Sequence, residues 1–493
     1  MTLPKTERAA IIDIGSNSVR LVIYNVLGAS ILPTFNEKVM AGLGAGLMTT
    51  GQLSPSGVEA ALKALGRYRA ILKALNLKSF TAVATAAVRS ADNGAEFISQ
   101  ASNALGRKIL VLSGEDEARL SAVGVEASFH EPHGMIGDLG GSSLEFKQIG
   151  PKAGGGESLM LGPLSLVNGD IDLKSLRKTI RTELKTSAVL AKAEGRFYAV
   201  GGAWRTLAKL NMHLEGYSLQ VLQGYQMTKA QIDRAAKVCF DSLTNSTARL
   251  TLEAVDKKRA RHLPIAAILA QEVLEMSELD GMTISSSGLR EGVLRNELGA
   301  SDNDPLLDGA IAFARLDRNQ ILFGEALHDF IAPALAPEPD LFGSPAADQR
   351  IERAACMMSD SAGRFHPDHR AIMAYDQALR APYTAVAHRE RALIAYAVGC
   401  RYQKDFKRPD EYTTLTTPEQ DERARQIGSA MRLGAVFSGR SGPILKRAQL
   451  VRTAETLQLR VSRSDSAMVS DTVERRLSQT ASQVRLKSEV VIR

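Results

Sequence analysis

Short apolar runs alternate with longer stretches of helical spacing through roughly the first 300 positions. Ala9–Ile14 and Val19–Val26 read as strands on either side of a polar turn, and Ser56–Leu75 reads as an amphipathic helix. Phe80–Val88 and Lys108–Leu112 are further strand candidates, followed by a helix over Glu115–Ala127. Met135–Leu139 and Leu144–Ile149 flank a second polar turn. Phe197–Val200 runs into Gly201-Gly202 ahead of a helix, and Thr283–Ser286 is a short strand before Gly288. This alternation predicts an α/β fold. Beyond about Asp304 the strand pattern fades, and Ala, Arg and Leu at helical spacing continue to about Leu433, with Ala332–Pro345 expected as a Pro-rich connection. From Leu445 to Val491 alternating segments such as Thr456–Val461 predict a small sheet.

Within this pattern lies a repeat. Asp13-Ile14-Gly15-Ser16-Asn17-Ser18-Val19-Arg20-Leu21 aligns without a gap to Asp138-Leu139-Gly140-Gly141-Ser142-Ser143-Leu144-Glu145-Phe146. Each copy is an apolar strand ending in Asp, a turn of Gly and small polar residues, and a second strand. Two such copies predict two related lobes, with a cleft between the matching turns.

The turns suit phosphate. Glycine permits tight turns and leaves room for a ligand to approach the backbone. Successive N–H groups can form an anion nest, helped by the hydroxyls of Ser16, Ser18, Ser142 and Ser143. Asp13 and Asp138, at strand ends, are placed to hold hydrated Mg²⁺, a cation that prefers oxygen ligands. Arg20 and Glu145 occupy equivalent positions in the repeats, so the lobes divide labour: Arg20 is suited to phosphate oxygens and Glu145 to metal or water. Two more segments follow buried strands, Thr85–Gly94 with Arg89 and Asn93, and Ser113–Arg119 with Glu115, Asp116 and Glu117. Acidic residues in a first helical turn ordinarily serve the cap and the helix dipole.

Composition narrows the class. Of 493 residues, 44% are hydrophobic and 23% charged, as in soluble multidomain proteins. The segment from Met1 to Ala10 carries Lys5, Glu7 and Arg8 and reads as neither a signal peptide nor a targeting helix, and no apolar run is long enough for a membrane span. Cys239, Cys356 and Cys400 lack ligand spacing and suit a reducing cytoplasm. The net charge of +7 is concentrated: from Arg440 to Arg493 there are eleven Lys/Arg against five Asp/Glu, a local net of +6. Such a surface favours polyanions, or is simply a solvated basic tail. With one Trp there is little for base stacking, so no specific nucleic acid is expected.

Taken together, Ile12–Ser18, Ser113–Arg119, Gly137–Glu145 and Ser287–Gly292 resemble the exopolyphosphatase / guanosine pentaphosphate phosphatase (Ppx/GppA) family over roughly residues 8 to 300. The resemblance implies duplicated actin-like lobes (ribonuclease H-like, of the Hsp70 and sugar-kinase superfamily) over 1–127 and 128–304. It also implies an α-helical HD-like domain over 305–440 and a basic C-terminal subdomain over 441–493. It implies Glu117 as the general base, with Glu115 and Asp116 left as caps. Arg20, Arg89 and Asn93 then contact phosphate, and Ser16, Asn17 and Ser18 line the first turn. Gly140, Gly141, Ser142 and Ser143 form the second turn, with Asp138 and Glu145 on Mg²⁺ and a monovalent cation such as K⁺ as a further cofactor. The implied substrate is inorganic polyphosphate and the implied state a cytoplasmic homodimer. Guanosine pentaphosphate hydrolysis, or non-catalytic binding of guanosine tetraphosphate, are the alternatives. Departures from the family pattern are Ser142 in place of a third glycine, Trp204 where a small residue would admit adenosine, and Ser359-Asp360 where an HD pair would hold a metal. His366 and His369 read as polar surface residues.

Overall fold

Strand pairing shows the duplication directly. The computed structural model describes residues 7–151, 154–166, 171–314, 317–337 and 339–493; Lys5 of the charged N-terminus and Glu338 of the Pro-rich stretch lie outside them. The first sheet contains β1 (Glu7–Ile14), β2 (Val19–Leu27), β3 (Ser30–Val39), β4 (Phe80–Ala84) and β5 (Leu110–Val111), in the order β3-β2-β1-β4-β5. The second contains β6 (Gly134–Leu139), β7 (Leu144–Ile149), β8 (Gly156–Leu159), β9 (Arg196–Val200), β10 (Gln226–Thr228) and β11 (Gly281–Ile284), in the order β10-β11-β9-β6-β7-β8. In both, the strand that ends in Asp forms an antiparallel hairpin with the next strand and pairs in parallel with a later one: β1 with β2 and β4, β6 with β7 and β9. The registers match, Asp13 opposite Arg20 and Asp138 opposite Glu145.

The repeats fold this way because their apolar strands must be covered on both faces. Ile11, Ile12 and Ile14 of β1 are fully buried. The Pro55–Ala74 helix covers one face with Leu65, Tyr68 and Leu72. It starts at the Ser54 cap, whose side chain accepts from Gly57 N, with Pro55 in the first turn. Tyr68 donates its hydroxyl proton to Val19 O at 3.1 Å, which fixes the helix on β2. In the second lobe the Leu263–Ser277 helix is apolar nearly all round and lies in the core, packed with Phe197, Trp204 and Leu207. Each fully buried Leu or Phe contributes about 1.5–3 kcal/mol.

Several boundaries differ from the sequence expectation. The strand expected over Phe80–Val88 ends at Ala84. Thr85 donates its N–H to Ile14 O, and Ala86–Ser90 turns into a short helix, as two alanines permit. That turn brings Arg89 inward. The unexpected strand β3 contains Pro33 and an exposed stretch, Pro33–Asn36, tolerated because it is a sheet edge. The Arg318–Leu335 helix continues through Pro333, so the Pro-rich connection begins later than expected.

These two lobes, up to Val26 and over Pro33–Asp302, form one compact unit; Asn303–Arg493 with Leu27–Leu32 forms the other. The second unit is helical, and its Pro418–Ser438 helix packs against both the His388–Tyr402 and Asp471–Gln483 helices. It carries a sheet of β12 (Gln449–Arg452), β13 (Thr456–Val461) and β14 (Lys487–Ile492), in which Leu457, Leu459 and Val461 alternate inward. In this unit Ser359 is buried, and Asp360 accepts from Arg440 Nη1 at 3.1 Å and from Gln320 Nε2 at 3.3 Å. His366 and His369 are exposed. All three cysteines are buried and free. No helix among the described residues is long and apolar enough to cross a membrane.

Candidate active site

The two repeat turns meet. Gly15 N donates to Ser18 O at 3.0 Å and Gly140 N to Ser143 O at 2.9 Å, so both turns close with the same bond. Ser142 Oγ then donates to Ser16 Oγ at 2.9 Å, both residues being buried. Neither Gly15, Gly140 nor Gly141 has a positive φ. Gly141 stands close to the other turn: a Cβ there would lie 3.2 Å from Ser16 Cβ, so that neighbour would have to give by a few tenths of an ångström.

Between the lobes is a cavity of about 250 Å³. Its walls include Ser16, Asn17, Ser18, Arg20, Glu117, Asp138, Gly140, Gly141, Ser143 and Glu145, all expected from the sequence, together with Asp13. Three expected residues do not line it. Ser142 ties the turns together. Arg89 sits behind Glu117, donating to its carboxylate and to Leu112 O. Asn93 Oδ1 accepts from Leu53 N at 2.9 Å, which ties it to a neighbouring loop.

Glu117 owes its position to local chemistry. Ser113 caps the Gly114–Glu126 helix by accepting from Asp116 N at 3.0 Å, and Asp116 and Arg119 pair on the outer side. Glu117 therefore faces inward, 6% exposed. Burial raises its pKa to about 7 against the pull of Arg89, with Asp138 and Asp13 pushing the same way as burial. Glu145 is buried, accepts from Ser158 Oγ at 2.8 Å, and is held well above the usual carboxylate range by burial and then by Glu117 and Asp138. Asp138 is likewise raised by burial, opposed by a bond from Ser121 Oγ. A base must be ionised to take a proton, so kcat/KM should climb with pH through about 7. A profile flat across that region would contradict the role of Glu117.

Cations face these carboxylates. Besides Arg20 the cavity is lined by Lys38, Arg205, Arg259 and Arg290, none of them expected from the sequence. Arg290 donates to Asp13 at 3.0 Å, bridging the lobes. Its neighbour Glu291 accepts from Tyr24 Oη at 2.7 Å and from Gly288 N at 3.0 Å. Among the described residues Arg205 bonds backbone, donating to Gly201 O and Ser286 O. Lys38 is lowered to about 8 by burial and then by Arg259, Arg20 and Arg290. Crowded, partly buried cations of one sign are stabilised when an anion sits among them. Of the motifs quoted from the sequence, only Ser287–Gly292 contains one of these four residues, Arg290.

The family model described as the Ppx/GppA phosphatase family matches residues 22–301, the part of the chain that builds most of this cavity. The chain belongs to the Ppx/GppA phosphatase family. A second model, exopolyphosphatase C-terminal, matches residues 342–491. The chain is 26% identical over 325 residues to the guanosine-5'-triphosphate,3'-diphosphate pyrophosphatase of Aeromonas salmonicida, covering 63% of this chain and 64% of that protein, just under two thirds of its length. It is 25% identical over 444 residues to retrograde regulation protein 2 of Saccharomyces cerevisiae, covering 81% and 74%. Among solved structures, the Aquifex aeolicus Ppx/GppA family member superposes with a TM-score of 0.52 at 27% identity, over 60% of this chain and 98% of that one. An exopolyphosphatase from Cytophaga hutchinsonii gives 0.53 at 24% identity, over 59% and 98%, a likeness of fold. The lobes thus have the actin-like fold of the family.

Within the family frame two features matter. Trp204 does not narrow the cavity as expected: the indole is fully buried, donates Nε1–H to Ala266 O at 3.1 Å, and packs edge-on to Phe197. Arg259 lies in that place instead; a Cβ on Gly202 would be 2.6 Å from its Nη2. Second, the helix carrying Glu117 crosses the Leu289–Leu298 helix, whose first turn carries Arg290, at Gly124 and Gly292. A Cβ on Gly292 would lie 1.7 Å from Leu120 O. Gly292→Ala should therefore part the helices, cost about 1–3 kcal/mol of stability and lower kcat at temperatures where the protein is still folded. Unfolding midpoint and turnover check this together; an unchanged kcat would show that the crossing does not position the base.

Proposed function

We propose that the chain is an exopolyphosphatase, removing the terminal phosphate of inorganic polyphosphate by in-line attack of water. One observation carries the reading: Glu117, buried and raised to about 7, shares a cavity with two phosphate-type turns and a cationic wall. Glu117 takes the proton of the attacking water. The backbone turns and the hydroxyls of Ser16, Ser18 and Ser143 cradle the terminal phosphoryl group, and Arg20 and Arg290 offset its charge, which is most of what phosphoryl transfer asks of a protein. Arg89 acts from behind, orienting Glu117.

The donor set fits Mg²⁺. Glu145 is buried and Asp138 half-buried; both are raised by burial first and then by neighbouring carboxylates, Asp13 for Asp138 and Glu117 and Asp138 for Glu145, a repulsion that a divalent cation would remove. No three His, Cys, Asp or Glu among the described residues form a cage of their own. That suits an ion held by one or two carboxylates plus substrate oxygens. When bound, Mg²⁺ would supply charge neutralisation at the phosphate oxygens.

The match of residues 342–491 to the exopolyphosphatase C-terminal model and the net +6 beyond Arg440 favour a polymer. On this reading the protein works in the cytoplasm as a homodimer, without a membrane or specific nucleic-acid partner. The Aeromonas relative favours guanosine pentaphosphate as a second reading, served by the same base and turns. Hydrolysis in ¹⁸O-water tests the mechanism: one ¹⁸O should enter each orthophosphate released and none the remaining chain. Label in the shortened chain would overturn attack at the terminal phosphorus.

A further inference from the structure

The helical unit contains a second place where cations converge without a carboxylate among them. Arg432, 6% exposed, lies in the Pro418–Ser438 helix and reaches the end of the His388–Tyr402 helix. There it donates Nε–H to Arg401 O at 3.2 Å and Nη2–H to Cys400 O, serving carbonyls that the last helical turn leaves unpaired. Its third nitrogen, Nη1, takes no protein acceptor among the described residues. Arg432 lines a narrow cavity with Arg425, Lys404, Ser429 and Gln479.

The surroundings do not neutralise this cluster. Asp421 is taken by a bidentate pair with Arg408 at 2.7 Å, and Glu422 faces Arg485 at 3.1 Å. Asp405, the remaining carboxylate that acts on Arg432, is exposed. Arg476 adds a further positive charge from the Asp471–Gln483 helix: it donates to Gln479 Oε1 at 2.8 Å, while its buried Nε has no partner among the described residues. The Arg432 guanidinium is accordingly destabilised, its pKa lowered to about 10 by burial first and then by Arg476. Capping a helix end accounts for two nitrogens of Arg432. It does not account for Nη1, nor for Lys404 on the same cavity, and Arg425, whose Nη1 donates to Tyr396 Oη at 3.1 Å, lines that cavity as well.

We propose that this cavity binds a phosphoryl group, either free orthophosphate or the end of a phosphate chain. Charge-assisted bonds from two guanidiniums and an ammonium, with the Ser429 hydroxyl and the Gln479 amide, are the donor set that recognises such an oxyanion. Size selects further. The cavity holds about 20 Å³, room for little more than one oxygen-sized group, so the phosphoryl head seats at its mouth and a nucleoside does not enter. The inference does not rest on what the cleft hydrolyses, because neither turn nor base of the cleft takes part.

The test uses the full chain carrying Glu117→Gln, so that nothing is turned over, with orthophosphate and triphosphate as probes and chloride at equal ionic strength as control. Hydrogen exchange should slow at residues 400–404 and 425–432 with either phosphate probe and not with chloride. Slowing by orthophosphate alone marks the free ion as the occupant, and stronger slowing by triphosphate marks a chain end. The double variant Arg425→Gln/Lys404→Gln should raise the apparent Kd for this protection at least tenfold without lowering the unfolding midpoint. Ser429→Asp, which places a carboxylate in the cavity, should abolish the protection. Equal protection by chloride, no protection at these residues, or protection unchanged in both variants would overturn the proposal.

Discussion

Glu117→Gln should lower kcat on polyphosphate by about 10²–10⁴-fold while leaving binding nearly unchanged. The amide preserves size, and Arg89 can still donate to its oxygen, so the Gly114–Glu126 helix and the Ser16–Ser142 contact should stand. What is lost, on the proposed mechanism, is the group that accepts the proton of the attacking water. The residual rate, supplied by the turns and Arg20, should no longer rise through about pH 7, because the group that titrates there has gone. A variant that keeps more than about a tenth of the wild-type kcat would place the base elsewhere, at a level of effect well below that of a positioned proton acceptor. Measuring Kd for polyphosphate alongside kcat separates loss of chemistry from loss of fold.

Removal of divalent cation should have an effect of the same order. With Asp13, Glu117, Asp138 and Glu145 around one cavity, an incoming phosphate chain meets four acidic groups as well as the cationic wall. Charge neutralisation by a metal is worth several kcal/mol at a phosphoryl transition state, about 10³-fold or more in rate. EDTA should therefore reduce turnover to near background and added Mg²⁺ restore it. Asp138→Asn should raise the Mg²⁺ concentration needed for half-activity, with a smaller effect on saturated kcat. Full activity in excess chelator would remove Asp138 and Glu145 from the role proposed for them.

Much of this was legible in the sequence because it is local. The gapless match of Asp13–Leu21 to Asp138–Phe146 predicted two like turns, and the matched registers and closing bonds follow from it. Ser113 before three acidic residues marked a helix start. What was not legible depends on contacts distant in the chain. Arg290 reaches Asp13 across 277 positions, and Tyr24 meets Glu291 across 267. Trp204 looked like a gatekeeper beside Gly201-Gly202, yet the helix that begins there rotates its indole into the core and presents Arg205 to the cavity. Asn93 stands off the cavity wall with its Oδ1 on Leu53 N, a contact across 40 positions that residue type alone does not reveal. Edge strands such as β3 escaped because a strand with one exposed face and a proline has little apolar signal.

The central claim, that the cleft acts on the end of a phosphate polymer, is tested most directly by a paired substrate assay. Orthophosphate release from long-chain polyphosphate and from guanosine pentaphosphate should be followed with one preparation at saturating Mg²⁺, and kcat/KM compared. The account predicts a higher value for polyphosphate, with the chain shortened from its end. A higher value for guanosine pentaphosphate, with polyphosphate left intact, would contradict it.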